Sequence, residues 1–401
     1  MALDQSAGKW HKRRNPHRGF SVMTATLLPV CRPLLPRAES LLPYLQQIDA
    51  NRFYTNRGPL VWQFERRLAD LLGADPHAVR SAASGTLALE LGILAHAGRA
   101  ESDRPLALVP SFTFAATAQA VERCGYTPVF VDVDPAHWTP GAAALAEHPA
   151  LARCGLIVVV APYGVMPEMR SLERLQADLD TPIVVDAAAG FEAVLDCPQL
   201  VSETIPMALS FHATKAFSTG EGGAVLWNAL EGQARVTQVA NFGFRASREA
   251  LIPGLNGKMS EYHAAVGLAM LDGLDARRAA YAQVSALYAE LAQARALGGR
   301  LHLPPGVSPA YALFEAATPE QFLLTESTLL AHGVETRRWY EAGVHAQPYF
   351  RRPRAAPLPA TTDLCFRLLG VPMSPDLDRH DVARVLDALA AAAAEGSVTH
   401  G

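Results

Sequence analysis

Short apolar runs punctuate the chain between residues 100 and 230: Leu106–Pro110, Pro128–Val133, Leu156–Ala161, Ile183–Asp186, Met207–Phe211 and Ala224–Trp227. Two stretches, Val158-Val159-Val160 and Ile183-Val184-Val185, are continuous rather than alternating, as strands buried on both faces of a parallel sheet are. Between the runs lie segments of helical spacing, Ala115–Arg123 and Ser171–Asp178 among them. Strand alternating with helix predicts an α/β domain with a mostly parallel sheet. After Ser260 the pattern changes: Glu261 to about Ala294, rich in Ala and Leu, reads as long helix interrupted by Gly267 and Gly273. A smaller unit follows, with a strand at Ala310–Ala317, a helix near Pro319–His332 and a Pro- and Arg-rich loop at 348–360. A closing helix runs from Asp378 to about Ala394, with Val382, Val385, Leu386 and Leu389 on its apolar side. The expected organisation is a large α/β domain over 29–272 and a smaller C-terminal domain over 273–401, preceded by a basic segment, 1–28.

Composition narrows the class. Half the residues are apolar and 18% charged, an ordinary globular balance with material for a large core. The net charge of −4, from 35 basic and 39 acidic residues, gives no electrostatic footprint for nucleic acid. No apolar run approaches the ~20 residues of a membrane helix. The five cysteines, Cys31, Cys124, Cys154, Cys197 and Cys365, are scattered and form no C-x-x-C. They read as reduced thiols of a cytoplasmic enzyme, without a disulfide framework or a metal site. The segment 1–28 sets Lys9, Lys12, Arg13, Arg14 and Arg18 against one acid, Asp4. It reads as a disordered extension, or as a start placed upstream of Met23; a transit peptide is the alternative.

Three local patterns carry chemistry. Ser84-Gly85-Thr86 precedes the helical run Leu87–Ala95, and small residues at a helix N-terminus offer free N–H groups and a favourable dipole to a phosphate. An ordinary N-cap gives the same pattern. Asp186 ends the run Pro182–Val185, at the C-terminal end of a buried strand, where α/β folds place their ligands. It too has a bland alternative, as a cap or loop carboxylate. Lys215 closes Ser210-Phe211-His212-Ala213-Thr214-Lys215, directly after an apolar strand, and is expected to be partly desolvated, as a nucleophilic lysine must be. Gly220-Glu221-Gly222-Gly223 then permits a tight hairpin back into Ala224–Trp227.

Through these segments the chain resembles the DegT–DnrJ–StrS sugar aminotransferases, enzymes of fold type I that use pyridoxal phosphate (PLP). The match includes Phe53-Tyr54-Thr55-Asn56-Arg57-Gly58-Pro59 with Phe64-Glu65, Ser84–Leu89, Pro110–Thr117, Asp186-Ala187-Ala188, Ser210–Lys215, Gly220–Gly223 and Gly254–Glu261. It runs from near Pro29 to near Leu389. The string Phe-His-Ala-Thr-Lys followed by Gly-Glu-Gly-Gly is specific; Ser-Gly-Thr is not.

The resemblance implies a role for each position. Lys215 would hold the cofactor aldehyde as a Schiff base and then carry the proton between substrate and cofactor carbons. Asp186 would pair with the pyridine nitrogen, and Gly85, Thr86 and Ser210 would hold the phosphate. Phe114 would lie against the cofactor face, though a core phenylalanine is the plainer reading. Asn256 would reach the phosphate of a second subunit, which implies a homodimer with shared active sites. Tyr54, Lys258 and His345 lie in segments that border the sugar site in similar enzymes, and each has a surface or packing alternative.

The implied reaction passes an amino group from an amino acid, L-glutamate in similar enzymes, through the pyridoxamine form of the cofactor to a nucleotide-linked keto-sugar. That chemistry belongs to amino-sugar and polysaccharide biosynthesis. Three departures from the family pattern stand out: Ala189 where a Gln is frequent, Leu255 and Lys258 where Tyr and Arg are, and Pro162 where a His precedes Tyr163-Gly164. The rival readings are a PLP-dependent sugar dehydratase on the same fold, whose members carry His in place of the lysine, and a non-catalytic sensory protein that binds PLP or a sugar.

Overall fold

The computed structural model describes residues 27–351 and 356–398. The basic segment 1–28 lies outside them except for its last two residues, and the loop at 348–360 is described only in part. Seven strands form the central sheet: β1 Val79–Ala82, β2 Leu106–Pro110, β3 Thr127–Val131, β4 Cys154–Val160, β5 Ile183–Asp186, β6 Met207–Ser210 and β7 Gly223–Leu226. Their order is β1-β7-β6-β5-β4-β2-β3. Every pairing from β3 across to β6 is parallel, and only β7 runs against its two neighbours.

The continuous apolar runs have a direct cause. Successive side chains of a strand point to opposite faces. In β4, Ile157 and Val159 join the core on one face, with Leu60, Phe64, Val185 and Leu209. Leu156 and Val158 join the core on the other, with Leu91, Val109, Val184 and Val225. Both faces are covered, so polar alternation has no place. Strand β1 leaves no apolar signature in the sequence because it carries Arg80 and Ser81, whose polar groups are bonded to the buried carboxylate of Glu65.

The expected long helix is two helices, Glu261–Asp272 and Leu274–Gln293, parted at Gly273, whose backbone leaves the helical region (φ −105°, ψ 11°). Gly267 does not interrupt the first of them. Its missing side chain admits the ring of Phe64, which would lie 2.5 Å from a Cβ there. The expected tight hairpin after Lys215 is also different. β6 and β7 do pair antiparallel, but residues 211–222 form a wound connection closed by Phe211 N–H to Gly222 O and Ala213 N–H to Gly220 O.

The second unit is a three-stranded antiparallel sheet, β10-β9-β8, from β8 Leu301–His302, β9 Ala312–Glu315 and β10 Leu368–Val371. It shares a core with the helices Leu274–Gln293, Pro319–Ala331 and Arg379–Val398. Leu28 and Val30 also join this unit, bridging to Val334 and bonding the Glu335 carboxylate. No helix among the described residues is long and apolar enough to cross a membrane.

The joint between the sheets holds one buried acid. Glu192, at the start of the helix Phe191–Asp196, touches the Ser308 hydroxyl at 3.3 Å, and Ser308 N–H bonds Tyr163 O at 2.7 Å. Burial pushes the Glu192 carboxyl up to about 7 from an ordinary 4.5. An acid held above its unfolded value favours the fold fully at pH below about 4.5, and that contribution is lost as pH rises through about 7. Glu192→Gln is therefore expected to be more stable than the parent by about 2–3 kcal/mol at pH 8, at about 1.4 kcal/mol per unit. The gain should shrink toward pH 5 in urea titrations, and a gain independent of pH would show that Glu192 is not the titrating group.

Candidate active site

The C-terminal ends of the parallel strands open into a cavity of about 580 Å³, lined by Gly85, Thr86, Asp186, Ser210, Lys215 and Tyr311 among others. That is where a parallel α/β sheet presents its loops and helix N-termini. Four of the sequence-derived cofactor positions thus share a wall with both proposed catalytic residues.

The floor is Asp186, the last residue of β5. Its Oδ2 accepts the Thr117 hydroxyl at 2.7 Å and its Oδ1 accepts the Ala188 N–H at 3.2 Å. The Thr113 hydroxyl stands 2.7 Å behind Thr117, so a chain of two threonines aims the carboxylate. Burial pushes the Asp186 carboxyl up; the Thr117 and Ala188 hydrogen bonds and the Lys215 charge act against it. A carboxylate buried with two donors already fixed is suited to a cation presented from the cavity.

One side of the cavity is a glycine cradle. A Cβ on Gly85 would stand 2.5 Å from Ser210 Cβ, and one on Gly223 would stand 2.9 Å from Gly85 Cα. The bare backbone lets the N-terminus of the helix Gly85–His96 press against the end of β6, leaving the Ser210 hydroxyl beside it. Ser84 caps the helix through Leu87 N–H at 3.2 Å, so the first turn's remaining N–H groups face the space where an anion is favoured.

Lys215 stands opposite, half-buried, with its Nζ donating to the Tyr311 hydroxyl at 2.9 Å. Phe114 caps the helix Ala115–Arg123 and leaves its ring 65% exposed in the cavity rather than in the core, which removes the plain packing reading. Ala189, the departure noted above, also lines the cavity.

The remaining sequence candidates lie elsewhere in this chain. Asn256 is exposed and bridges to Asn241. Lys258 donates to Asn241 Oδ1 at 3.1 Å and lies 4.7 Å from the Phe242 ring centre. It lines a second cavity of about 510 Å³ with Arg57, Arg80 and Arg248. Tyr54 is exposed and stacks on Tyr262. His345 is held by Ser111, whose Oγ lies 2.6 Å from its Nδ1, and burial lowers its pKa.

Several lining groups were not among the sequence-derived site residues, Thr117, Tyr311, Trp339 and Tyr340 foremost. Thr117 and Tyr311 reach Asp186 and Lys215 across 69 and 96 residues of chain, too far for any local pattern to report. Trp339 and Tyr340 close the far side. Beside them stand two arginines in unlike states. Arg338 is committed to Glu326 through two hydrogen bonds, whereas Arg337 has a longer contact with Glu335, 3.7 Å, and its guanidinium over Trp339.

The sequence profile of the DegT/DnrJ/EryC1/StrS aminotransferase family matches residues 37–390. The chain belongs to that family. Protein Rv3402c of Mycobacterium tuberculosis H37Rv is 35% identical, covering 93% of this chain and 92% of the relative. The dTDP-3-amino-3,4,6-trideoxy-alpha-D-glucose transaminase of Streptomyces venezuelae is 31% identical, covering 88% and 92%. Among solved structures, DesI in the presence of its TDP-sugar product superposes with a TM-score of 0.81 at 31% identity, covering 94% of this chain and 95% of that one.

Aminotransferases of the DegT/DnrJ/EryC1/StrS family are PLP-dependent, and the donor set here fits that group. The glycine cradle and helix N-terminus suit a phosphate, the buried Asp186 suits a protonated ring nitrogen, and the primary amine of Lys215 faces the same space. Thr117→Val keeps the shape of the threonine and removes the bond that aims Asp186. It is expected to lower turnover about tenfold with the fold intact, while Asp186→Asn lowers it by about two to four orders of magnitude. Equal turnover in Thr117→Val and the parent, read in steady-state assays, would show that Asp186 needs no aiming.

Proposed function

We propose that this family member transfers an amino group from an amino acid, L-glutamate as the expected donor, to the carbonyl of a nucleotide-linked keto-sugar. The observation that carries the reading is the meeting of Lys215, Asp186 and the Gly85–Ser210 cradle in one cavity. PLP bound there supplies an electron sink for the carbanion that develops when a substrate C–H bond breaks. The protein's own residues do the rest. Gly85, Thr86 and Ser210 would hold the phosphate end, Asp186 would keep a positive charge on the ring nitrogen, and Phe114 would offer an aromatic face. Lys215 would take the proton from the substrate carbon and hold it on Nζ for return within the same half-reaction, which keeps it from exchanging with water. Of the two arginines of the wall, Arg337 is the less committed, with a 3.7 Å contact to Glu335 where Arg338 is bonded twice to Glu326, and is the better placed to meet a substrate carboxylate.

The sugar assignment is supported by the likeness to DesI and to the Streptomyces venezuelae transaminase. The purified enzyme is expected to aminate members of a panel of nucleotide-linked keto-sugars with glutamate as donor, and Lys215→Ala is expected to lose that activity by more than about 10³-fold. Amination confined to simple 2-keto acids would overturn the sugar reading and leave the aminotransferase standing.

We further infer that the working unit is a two-fold homodimer. Phe53, Tyr54, Trp62, Phe242 and Tyr262 are each between 44% and 50% exposed, an unusual density of bare aromatic surface. Tyr54 stacks on Tyr262, while Trp62 and Phe242 line the second cavity beside Lys258. Asn256 lies in the same segment, outside its own chain's cofactor cavity, and is free to serve a partner's. Sedimentation velocity should give a dimer at micromolar concentration, and Trp62→Glu should shift it toward monomer. A fully active monomer would refute the shared site.

A further inference from the structure

Lys215 makes one contact that the proposed chemistry has not used. Its Nζ donates to the hydroxyl of Tyr311 at 2.9 Å. Tyr311 stands one residue before β9, in the second unit, and is 6% exposed. Its ring is wedged edge-on between Tyr163, at 5.3 Å, and Trp339, at 5.1 Å. Its N–H bonds Ser308 O at 2.9 Å, and Ser308 N–H bonds Tyr163 O in turn. Ring and backbone are both fixed, so the hydroxyl has one direction, and it is toward the lysine. A tyrosine needed only for its bulk would have no reason to aim its phenol at a catalytic amine.

We propose that Tyr311 is a positioning residue for the reaction, whose hydroxyl holds the Lys215 amine whenever that amine is free of the cofactor and so sets the position from which it moves the proton. This rests on the aminotransferase reading above. In that reaction one C–H bond breaks on the amino donor, one C–H bond forms on the cofactor, and Nζ carries the proton between them. Tyr311 keeps its own proton throughout. The phenol serves both states of the lysine, accepting from the ammonium and donating to the amine. A released lysine otherwise rotates about a flexible four-carbon stem, and proton transfer needs it within about 2.6–3.2 Å of its target.

The test compares the wild type, Tyr311→Phe and Lys215→Ala. Phenylalanine keeps the ring between Tyr163 and Trp339 and removes only the hydroxyl. In the PLP-loaded enzyme, single-turnover reaction with L-glutamate should slow about 10- to 100-fold in Tyr311→Phe. The isotope effect from glutamate deuterated at its α-carbon should rise, with half-saturation by glutamate and the absorbance of the bound cofactor unchanged. A second readout needs no turnover. In the cofactor-free protein, acetic anhydride should label Lys215 about three- to tenfold faster in Tyr311→Phe, the worth of one hydrogen bond, with Lys258 unchanged as the internal reference.

Rates, isotope effect and labelling all within about twofold of wild type would overturn the proposal. So would a slower rate with an unchanged isotope effect and weaker glutamate binding, which would make Tyr311 a substrate contact. Failure of Tyr311→Phe to hold the cofactor would make it structural. If Tyr311→Phe behaves as wild type while Lys215→Ala is dead, the aminotransferase stands and Tyr311 alone is withdrawn. If the wild type shows no amino transfer from any amino acid, both fall.

Discussion

The geometry that everything else depends on is a close approach of bare backbone. Ser84, Gly85, Ser210 and Gly223 bring the start of one helix, the end of β6 and the start of β7 within van der Waals contact. A Cβ on Gly223 would stand 2.6 Å from Leu209 O and 2.8 Å from Ser84 O. No side chain fits between these segments, so the helix dipole and its free N–H groups open on the same space as the strand ends. Asp186, two strands from β7, and Lys215, on the connection between β6 and β7, inherit their positions from that contact. Moving the helix outward by the width of one methyl group would separate the anion seat from the carboxylate and the amine together.

Most of the sheet was legible in the sequence because burial on both faces leaves a continuous apolar signature. β2 and β5 run over the very residues that the apolar runs marked, and β4 and β6 differ only at their ends. β1 was not legible, since Arg80 and Ser81 are polar in sequence and apolar in effect. Glu65 neutralises them out of water. The break at Gly273 and the continuity through Gly267 show the same limit. Glycine spelled alike in both places, and only the neighbour decided: the Phe64 ring fills the space at one, and the chain turns at the other.

Of the site, the sequence carried Asp186, Lys215 and the cradle because each sits on a local pattern with its own physical logic. Thr117 and Tyr311 were hidden because their importance is a matter of where β5 and the 211–222 connection bring other residues. The three substrate positions fared differently. Tyr54, Lys258 and His345 do not line the cofactor cavity of their own chain, and two of them lie on the aromatic and basic face beside the second cavity. His345 is tied to Ser111, at the end of β2, and is better placed to stiffen that strand end than to meet a substrate.

The aromatic shell beyond Lys215 ties the second unit to the cavity. Tyr163, Tyr311, Trp339 and Tyr340 come from three separate stretches of chain and pack at 4.9 to 5.3 Å on one another. Burial holds the Tyr163 and Tyr340 hydroxyls well above the ordinary tyrosine range, so they stay neutral and add no charge near the lysine. Tyr163 itself adopts a left-handed backbone (φ 53°), and Gly164 follows at φ 87°, where a Cβ would also stand 2.6 Å from Ala189 O. That strained turn presses the loop after β5 against Ser308 and, through it, Tyr311. Under the proposed reaction Lys215 would need its own motion confined. The large sheet supplies the helix N-terminus and the buried acid, and Tyr311, one residue before β9, brings the small sheet to the wall that the Lys215 amine touches.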